Sequence, residues 1–330
     1  MGFDLTGLLG GLLDITLPQL IMVVVGLILM GLGIFKDYEP TLLIPIGFGC
    51  ILGNLPVAAN MVGEHGLFGV LYKAGISNEL FPLLIFLGVG AMLDLRPLLS
   101  QPIMFIMGAF AHLGIFATLI VSLLLGFNLA ESTAIGMIGA IDGPTVIYVN
   151  GKLGDLFVTP GLAAAIAVTA YSYMSLVPII QPPLMRLFTT KKERGIRMEY
   201  TPRPVSRATV IIFPILITVI AAIFLPEAAP LIATLMLGNL LKESEVVPGL
   251  VETSKNAITN TATIFLGITI GSTMQAASFL NWGTLRVLIL GLVAFALNTI
   301  GGLLFGRLVC ALSGRKITPL VWPAALSAFP

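Results

Sequence analysis

One carboxylate sits deep in apolar sequence. Asp142 lies in Ile141-Asp142-Gly143-Pro144-Thr145, within an apolar run over 130–150. Holding a carboxylate at the centre of a bilayer costs at least about 2.5–3.5 kcal/mol on insertion scales. Such a group normally faces a cavity and binds an ion, a proton or a cationic partner. The alternative is a neutral carboxyl kept for packing. Gly143-Pro144 breaks a helix at that point, which favours the first reading. Freed carbonyls and the Thr145 hydroxyl would then place oxygens beside the carboxylate, and a hard cation such as sodium takes oxygen ligands.

Other groups have weaker claims. Tyr171 and Tyr173 fall in Ala170-Tyr171-Ser172-Tyr173, where a phenol could donate a proton or hydrogen bond, or anchor at an interface. Asn260, Thr263, Thr269 and Ser272 offer oxygens to a cation or to a neighbouring helix. Asp94 and Arg96 sit at a span end, Arg286 and Arg307 suit snorkelling, and His112 suits packing within a helix. Cys50 and Cys310 lie in apolar runs and read as buried small hydrophobes rather than a disulfide.

The elements that must position these groups follow from composition. Of 330 residues, 57% are hydrophobic and 10% charged, where a soluble domain carries about 25% charged. This excludes a soluble enzyme or disordered chain, and a net charge of +1 gives no field for nucleic acid. The fold expected is an all-α polytopic membrane protein in the lipid bilayer. Apolar segments run near 17–35, 41–59, 80–98, 102–126, 130–150, 160–182, 207–225, 226–242, 257–280 and 284–312. About ten transmembrane segments therefore fit, at about 20 residues each. The first 16 residues carry Asp4 and Asp14 and no basic region, so they read as an amphipathic surface segment rather than a signal peptide.

The loop 186–207 holds Arg186, Lys191, Lys192, Arg194, Arg197, Arg203 and Arg207, seven of the chain's 17 basic residues. The positive-inside rule makes it cytoplasmic. A basic cytoplasmic face also suits an acidic soluble partner. The N-terminus would be cytoplasmic too if all six earlier segments cross.

Gly and Pro interrupt the segments at 80–98, 130–150 and 257–280, and such unwound backbone lines polar cavities in membranes. Phe86-Leu87-Gly88-Val89-Gly90-Ala91-Met92 is similar to Phe265-Leu266-Gly267-Ile268-Thr269-Ile270-Gly271-Ser272-Thr273-Met274. A long apolar helix and a polar-Pro crossing follow each. The chain thus divides into 1–79, a first repeat 80–186, the basic loop 187–206, connecting spans 207–256 and a second repeat 257–330. Inverted repeats are the usual layout of secondary transporters with a midplane site. On this pattern the second repeat is expected to stop at its own crossing point, Ser327-Ala328-Phe329-Pro330.

The run Gly139-Ala140-Ile141-Asp142-Gly143-Pro144-Thr145-Val146-Ile147-Tyr148 resembles the signature Gly-Gly-Ala-Asp-Gly-Pro-Thr-Ala-Ile-Tyr of the β subunit of sodium-pumping biotin-dependent decarboxylases. The resemblance continues through Ala170-Tyr171-Ser172-Tyr173-Met174 to Val177-Pro178-Ile179-Ile180-Gln181-Pro182-Pro183-Leu184-Met185-Arg186. It also covers Tyr38-Glu39-Pro40, Asn78-Glu79-Leu80-Phe81-Pro82, Thr263-Ile264-Phe265-Leu266-Gly267 and Leu326-Ser327-Ala328-Phe329-Pro330. It implies decarboxylation of carboxybiotin, carried on a partner subunit, with proton consumption and outward sodium transport. It further implies a carboxyltransferase α subunit, a biotin carboxyl carrier subunit, a small membrane anchor subunit, a homo-oligomer and the bacterial cytoplasmic membrane. By motif, Asp142 would be the sodium and proton site, Tyr173 a proton source near carboxybiotin, and Ser327 the functional Ser. Thr145, Asn260, Thr263 and Thr318 would be further sodium ligands.

The chain departs from the family pattern. The family's Asn-Pro-Leu-Ile-Gly run reads Thr318-Pro319-Leu320-Val321-Trp322, and the second repeat is expected to stop short of the family's Arg and Gly-Pro-Asn-type crossing. Trp322 would fill space that a Gly leaves open. These departures bear on the second ion site and on the carboxybiotin-facing Arg that the resemblance implies. A secondary cation-coupled carrier and an inactive copy remain alternatives.

Overall fold

The computed structural model describes residues 15–330 apart from 57, 64, 101–111, 198–203, 315–316 and 322–330. Among these residues every regular element is helical. The principal helices are α1 (Leu17–Lys36), α2 (Pro40–Asn54), α3 (Leu80–Met92), α4 (Leu113–Leu124), α5 (Leu129–Met137) and α6 (Gly143–Leu153). They continue as α7 (Leu162–Leu187), α8 (Arg207–Phe224), α9 (Ala229–Ser244), α10 (Thr259–Thr273) and α11 (Trp282–Leu312). Among the described residues α1, α8 and α11 are long and apolar enough to cross a bilayer singly. Their outer faces expose Leu27, Ile28, Ile215, Val219, Ile289 and Leu308. Apolar stripes of this kind suit lipid and would aggregate in water.

Local sequence sets the ends of these helices. Thr16 caps α1, with its amide donating to Gln19 Oε1 at 2.8 Å. Asp37 then leaves the helix at φ 54°, turning the chain into α2. The two helices run antiparallel with glycine at their closest approach: a Cβ on Gly47 would lie 2.5 Å from the Gly26 carbonyl oxygen. Cys50 is buried there and its thiol donates to the Met22 carbonyl at 3.3 Å, while Cys310 is also free and buried.

Two helix crossings repeat one design. A Cβ on Gly49 would meet the Ile268 carbonyl oxygen at 2.1 Å, and one on Gly271 would meet that of Ile46 at 2.0 Å. Likewise a Cβ on Gly238 would meet the Leu87 carbonyl oxygen at 2.0 Å, and one on Gly90 that of Leu235 at 1.9 Å. Thus α2 lies parallel to α10, and α9 lies parallel to α3. In each pair an asparagine closes the end. Asn54 donates to the Met274 carbonyl at 2.8 Å, and Asn239 to that of Leu93 at 3.0 Å. A π-helical turn, Tyr72–Ile76 or Ser254–Ile258, precedes α3 and α10 alike. The two helices run opposite ways, since Gly88 faces Thr259 while the Phe81 and Phe265 rings lie 6.0 Å apart. Gly90→Leu or Gly271→Leu should force these backbones apart and cost at least about 1–3 kcal/mol, the range for overpacked cores. Thermal unfolding in detergent would measure the loss, and an unchanged midpoint would contradict the close crossing.

The segment 130–150 departs from the expected crossing. It is a hairpin whose two ends meet. Asn128, ahead of α5, donates to the Leu156 carbonyl, beyond α6, at 3.0 Å. The Val158 and Thr159 amides donate to Glu131 Oε1 at 3.0 and 2.7 Å. A straight crossing would hold these groups more than about 30 Å apart. The break at 138–142 folds α6 back along α5 because Ile141 takes φ 58° and Pro144 starts a new helix. The expected segment 130–150 is therefore a hairpin and not a single crossing.

Helix directions sort the loops into two ends. At one, Arg207 donates to the Ser244 carbonyl at 3.2 Å, Arg96 pairs with Glu243 at 2.6 Å, and Arg307 pairs with Glu193 at 3.0 Å. Lys36, Lys242 and Lys255 lie at the same end. Among the described basic residues Lys73, Lys152 and Arg286 lie at the other. Six crossings would have placed Thr16 at the basic end. The hairpin removes one, and Thr16 lies at the opposite end.

Candidate functional site

The tip of the α5–α6 hairpin holds Asp142 and Thr145. Helix α6 has 11 residues and so is about 16 Å long, half the thickness of a bilayer core of about 30 Å. This puts Asp142, at its start, near mid-depth. Asp142 is the N-cap of α6, and its Oδ1 accepts the Thr145 amide at 3.2 Å. The Thr145 hydroxyl donates to its Oδ2. The free amides and dipole of this helix start offset part of the cost of holding charge in apolar surroundings. Asp142 and Thr145 are each only partly exposed as residues.

The tip is braced from two sides. Ile141 is buried against Phe295, Val177 and Ile180. A left-handed β-branched residue is costly, and this packing outweighs that cost. Asn298, fully buried on α11, donates to the Gly139 carbonyl at 2.5 Å and accepts the Gly114 amide at 3.0 Å. One side chain thus ties the tip to α11 and α4. Sequence reading missed Asn298. The signal was present, since an amide inside the apolar run 284–312 needs partners.

The other expected site residues are dispersed. Tyr173 lies one turn from Val177, against Gly291, and its hydroxyl donates to the Leu288 carbonyl at 2.5 Å. It therefore flanks the tip through the Val177–Ile141 contact. Asn260 is exposed and Thr263 half-buried on α10, whose main neighbours are α2 and α3. The Thr318 hydroxyl donates to the Glu193 carbonyl at 2.9 Å, beside Arg307. Asn298 and Arg307 are about 13 Å apart along α11, so Thr318 sits well toward the basic end from the tip. Ser327 and Trp322 lie outside the described residues. Among the described residues no three His, Cys, Asp or Glu side chains cluster as a metal site. A sodium site of one carboxylate and neutral oxygens needs no such cluster.

Glu193 links the basic loop to α11. The Arg307 guanidinium beside it, and the Thr190 amide, hold its carboxyl down to about 2 from an ordinary 4.5. Because the folded value is depressed, the stabilisation is complete above about pH 4.5 and is lost as pH falls toward 2. Amide protection over 190–195 should drop in that window, and Arg307→Met should shrink the drop and move it upward in pH. A window unchanged in the variant would contradict the pairing.

An apolar helical protein with an acid where two half-length helices meet resembles the broken-helix sites of ion-coupled membrane transporters. Comparison with known proteins gives the family. The model of the Na+-transporting oxaloacetate decarboxylase beta subunit matches residues 18–330. The chain is 49% identical over 320 residues to the methylmalonyl-CoA decarboxylase subunit beta of Veillonella parvula, covering 97% of this chain and 83% of that one. It is 47% identical over 320 residues to the glutaconyl-CoA decarboxylase subunit beta of Acidaminococcus fermentans, with the same 97% and 83% coverage. It is 39% identical over 380 residues to the oxaloacetate decarboxylase beta chain of Klebsiella pneumoniae, covering 97% and 86%. The chain belongs to this family, the membrane-embedded beta subunits of sodium-pumping decarboxylases.

Proposed function

We propose that the chain decarboxylates carboxybiotin, presented on a carrier protein at the basic, cytoplasmic end, and couples that step to sodium export through Asp142. The observation that carries this reading is the mid-depth carboxylate, held at a helix start with a hydroxyl alongside. In decarboxylation the bond between nitrogen and the carboxyl carbon breaks. Its electron pair stays on the ureido nitrogen, which takes up one proton as carbon dioxide leaves. Sodium entering at Asp142 and Thr145 displaces a proton from the carboxyl, because one carboxylate cannot hold both tightly. Tyr173 passes a proton to the nitrogen and is reprotonated from that source. Ser327 is assigned beside the carboxybiotin by motif. Asn260, Thr263 and Thr318 are assigned as oxygens of further sodium stations, distinct from the tip.

The relatives' names describe subunits of larger enzymes, so a carboxyltransferase α subunit and a biotin carrier are the expected partners. A small anchor subunit and a homo-oligomer complete the proposed assembly. We also assign an inverted repeat. The matched glycine crossings and asparagine caps support it, as do the opposed directions of α3 and α10. These features extend each copy back to α1–α2 and α8–α9, so the units over 80–186 and 257–330 are cores of longer repeats, flanked by 1–79, the loop 187–206 and 207–256.

The test is sodium uptake into proteoliposomes of the assembled complex. Decarboxylation of the carrier should drive 22Na+ inward and slow when sodium is withheld. Sodium uptake without the decarboxylase partners would favour a secondary carrier. Decarboxylation indifferent to sodium would overturn the proposal.

A further inference from the structure

A cavity with a few polar groups in a mainly apolar lining lies away from the tip. It measures 210 Å³ and is enclosed by α6, α7, α10 and the π-helical turn before α3. That is room for several waters or a partly hydrated small cation. Its polar lining is Tyr72, Asn150, Thr273 and Ser278, and none of its lining residues is basic. Asn150 is 7% exposed and donates through Nδ2 to the Ala163 carbonyl at 2.8 Å. Its Oδ1 has no partner among the described residues. A buried acceptor left unpaired in this way is costly. The Thr273 hydroxyl donates to the Ile270 carbonyl at 2.7 Å, which leaves its oxygen lone pairs open.

The position connects this space to the tip. Asn150 follows Asp142 by two turns of α6, about 12 Å toward the end opposite the basic loop. Tyr72, at the rim, is 41% exposed. Two residues on from Asn150, Lys152 reaches Glu79 at 3.4 Å and Glu227 at 3.8 Å, so two carboxylates face one ammonium at this end of α6. The excess of carboxylates at this end of α6 favours a cation nearby, and the oxygens lining the cavity suit a hard one.

We infer that this cavity is the outward release site for sodium, which the Asn150 Oδ1 and Thr273 Oγ1 receive after it leaves Asp142. The inference rests on the sodium-export reading above. The walls come from α6–α7 on one side and α10 on the other, so relative movement of the two would open or close it.

The test uses proteoliposomes of the whole complex with the basic end outward. Carboxylated carrier is supplied in the medium, sodium chloride is varied separately in medium and lumen, and the membrane potential is collapsed. In the wild type, lumenal sodium should inhibit carbon dioxide release. In Asn150→Leu and, on the facing helix, Thr273→Val, the ratio of lumenal half-inhibition to medium half-activation concentration should rise at least fivefold. Asn150→Asp should lower it. An unchanged ratio in both Asn150→Leu and Thr273→Val would overturn the site while leaving sodium export intact. A wild type indifferent to sodium on either side would overturn the export reading and this inference with it.

Discussion

Asp142→Asn is expected to abolish sodium-dependent decarboxylation while leaving the fold in place. Asparagine is as good an N-cap as aspartate, so the Thr145 amide keeps its acceptor and α6 keeps its start. The stability change should stay within about 1 kcal/mol. What the substitution removes is the charge and the exchangeable proton. Acid–base groups of this kind contribute about 10²–10⁴-fold, and here the same group also binds the cation. Loss of at least about 100-fold in sodium-stimulated carbon dioxide release, with unchanged thermal unfolding, is the expected pattern. Retained sodium stimulation would remove Asp142 from the mechanism.

The second large effect is expected at Asn298. Asn298→Leu strips the Gly139 carbonyl and the Gly114 amide of their buried partners, at about 1–3 kcal/mol for each group left unmade. The tip then loses its tie to α11 and α4. Because Asn298 positions the tip and touches no transported ion, the loss should fall on sodium recognition. The sodium concentration for half-activation should rise at least tenfold. Asn298→Asp can still accept from Gly114 but cannot donate to Gly139 when ionised, so it should share the sodium defect. An unchanged sodium titration in a folded Asn298→Leu protein would show that the tip is held by Ile141 alone.

The break at Asp142 was legible because membranes make polar residues conspicuous. A single deep acid beside Gly-Pro pointed to a broken helix, and the structure places Asp142 at such a break with Thr145 against it. What sequence could not show was the direction of the chain after the break. An apolar run of 21 residues reads as a crossing by length, yet Asn128 and Glu131 bond to 156–159 and close it into a hairpin. Those bonds join residues on either side of the run, and hydropathy does not see them. The same blindness hid Asn298, which looks like one more polar residue in a long helix until its partners on α4 and at Gly139 are known. The glycine similarity between 86–92 and 265–274 was visible. The reason for it was not, because each glycine serves a partner helix from the other half of the chain. Thr318, Asn260 and Thr263 offered oxygens of the right chemistry, but the fold spreads them along the molecule rather than gathering them at Asp142.

The central claim is that sodium and a proton compete for the tip carboxylate. Proton release on sodium addition tests it most directly. In a weakly buffered solution of the purified complex with a pH-sensitive dye, sodium chloride should release about one proton per beta subunit from the wild type, while potassium chloride releases none. Asp142→Asn should release none with either salt. Equal release from the variant, or sodium-stimulated turnover in the wild type with no proton released, would contradict the account.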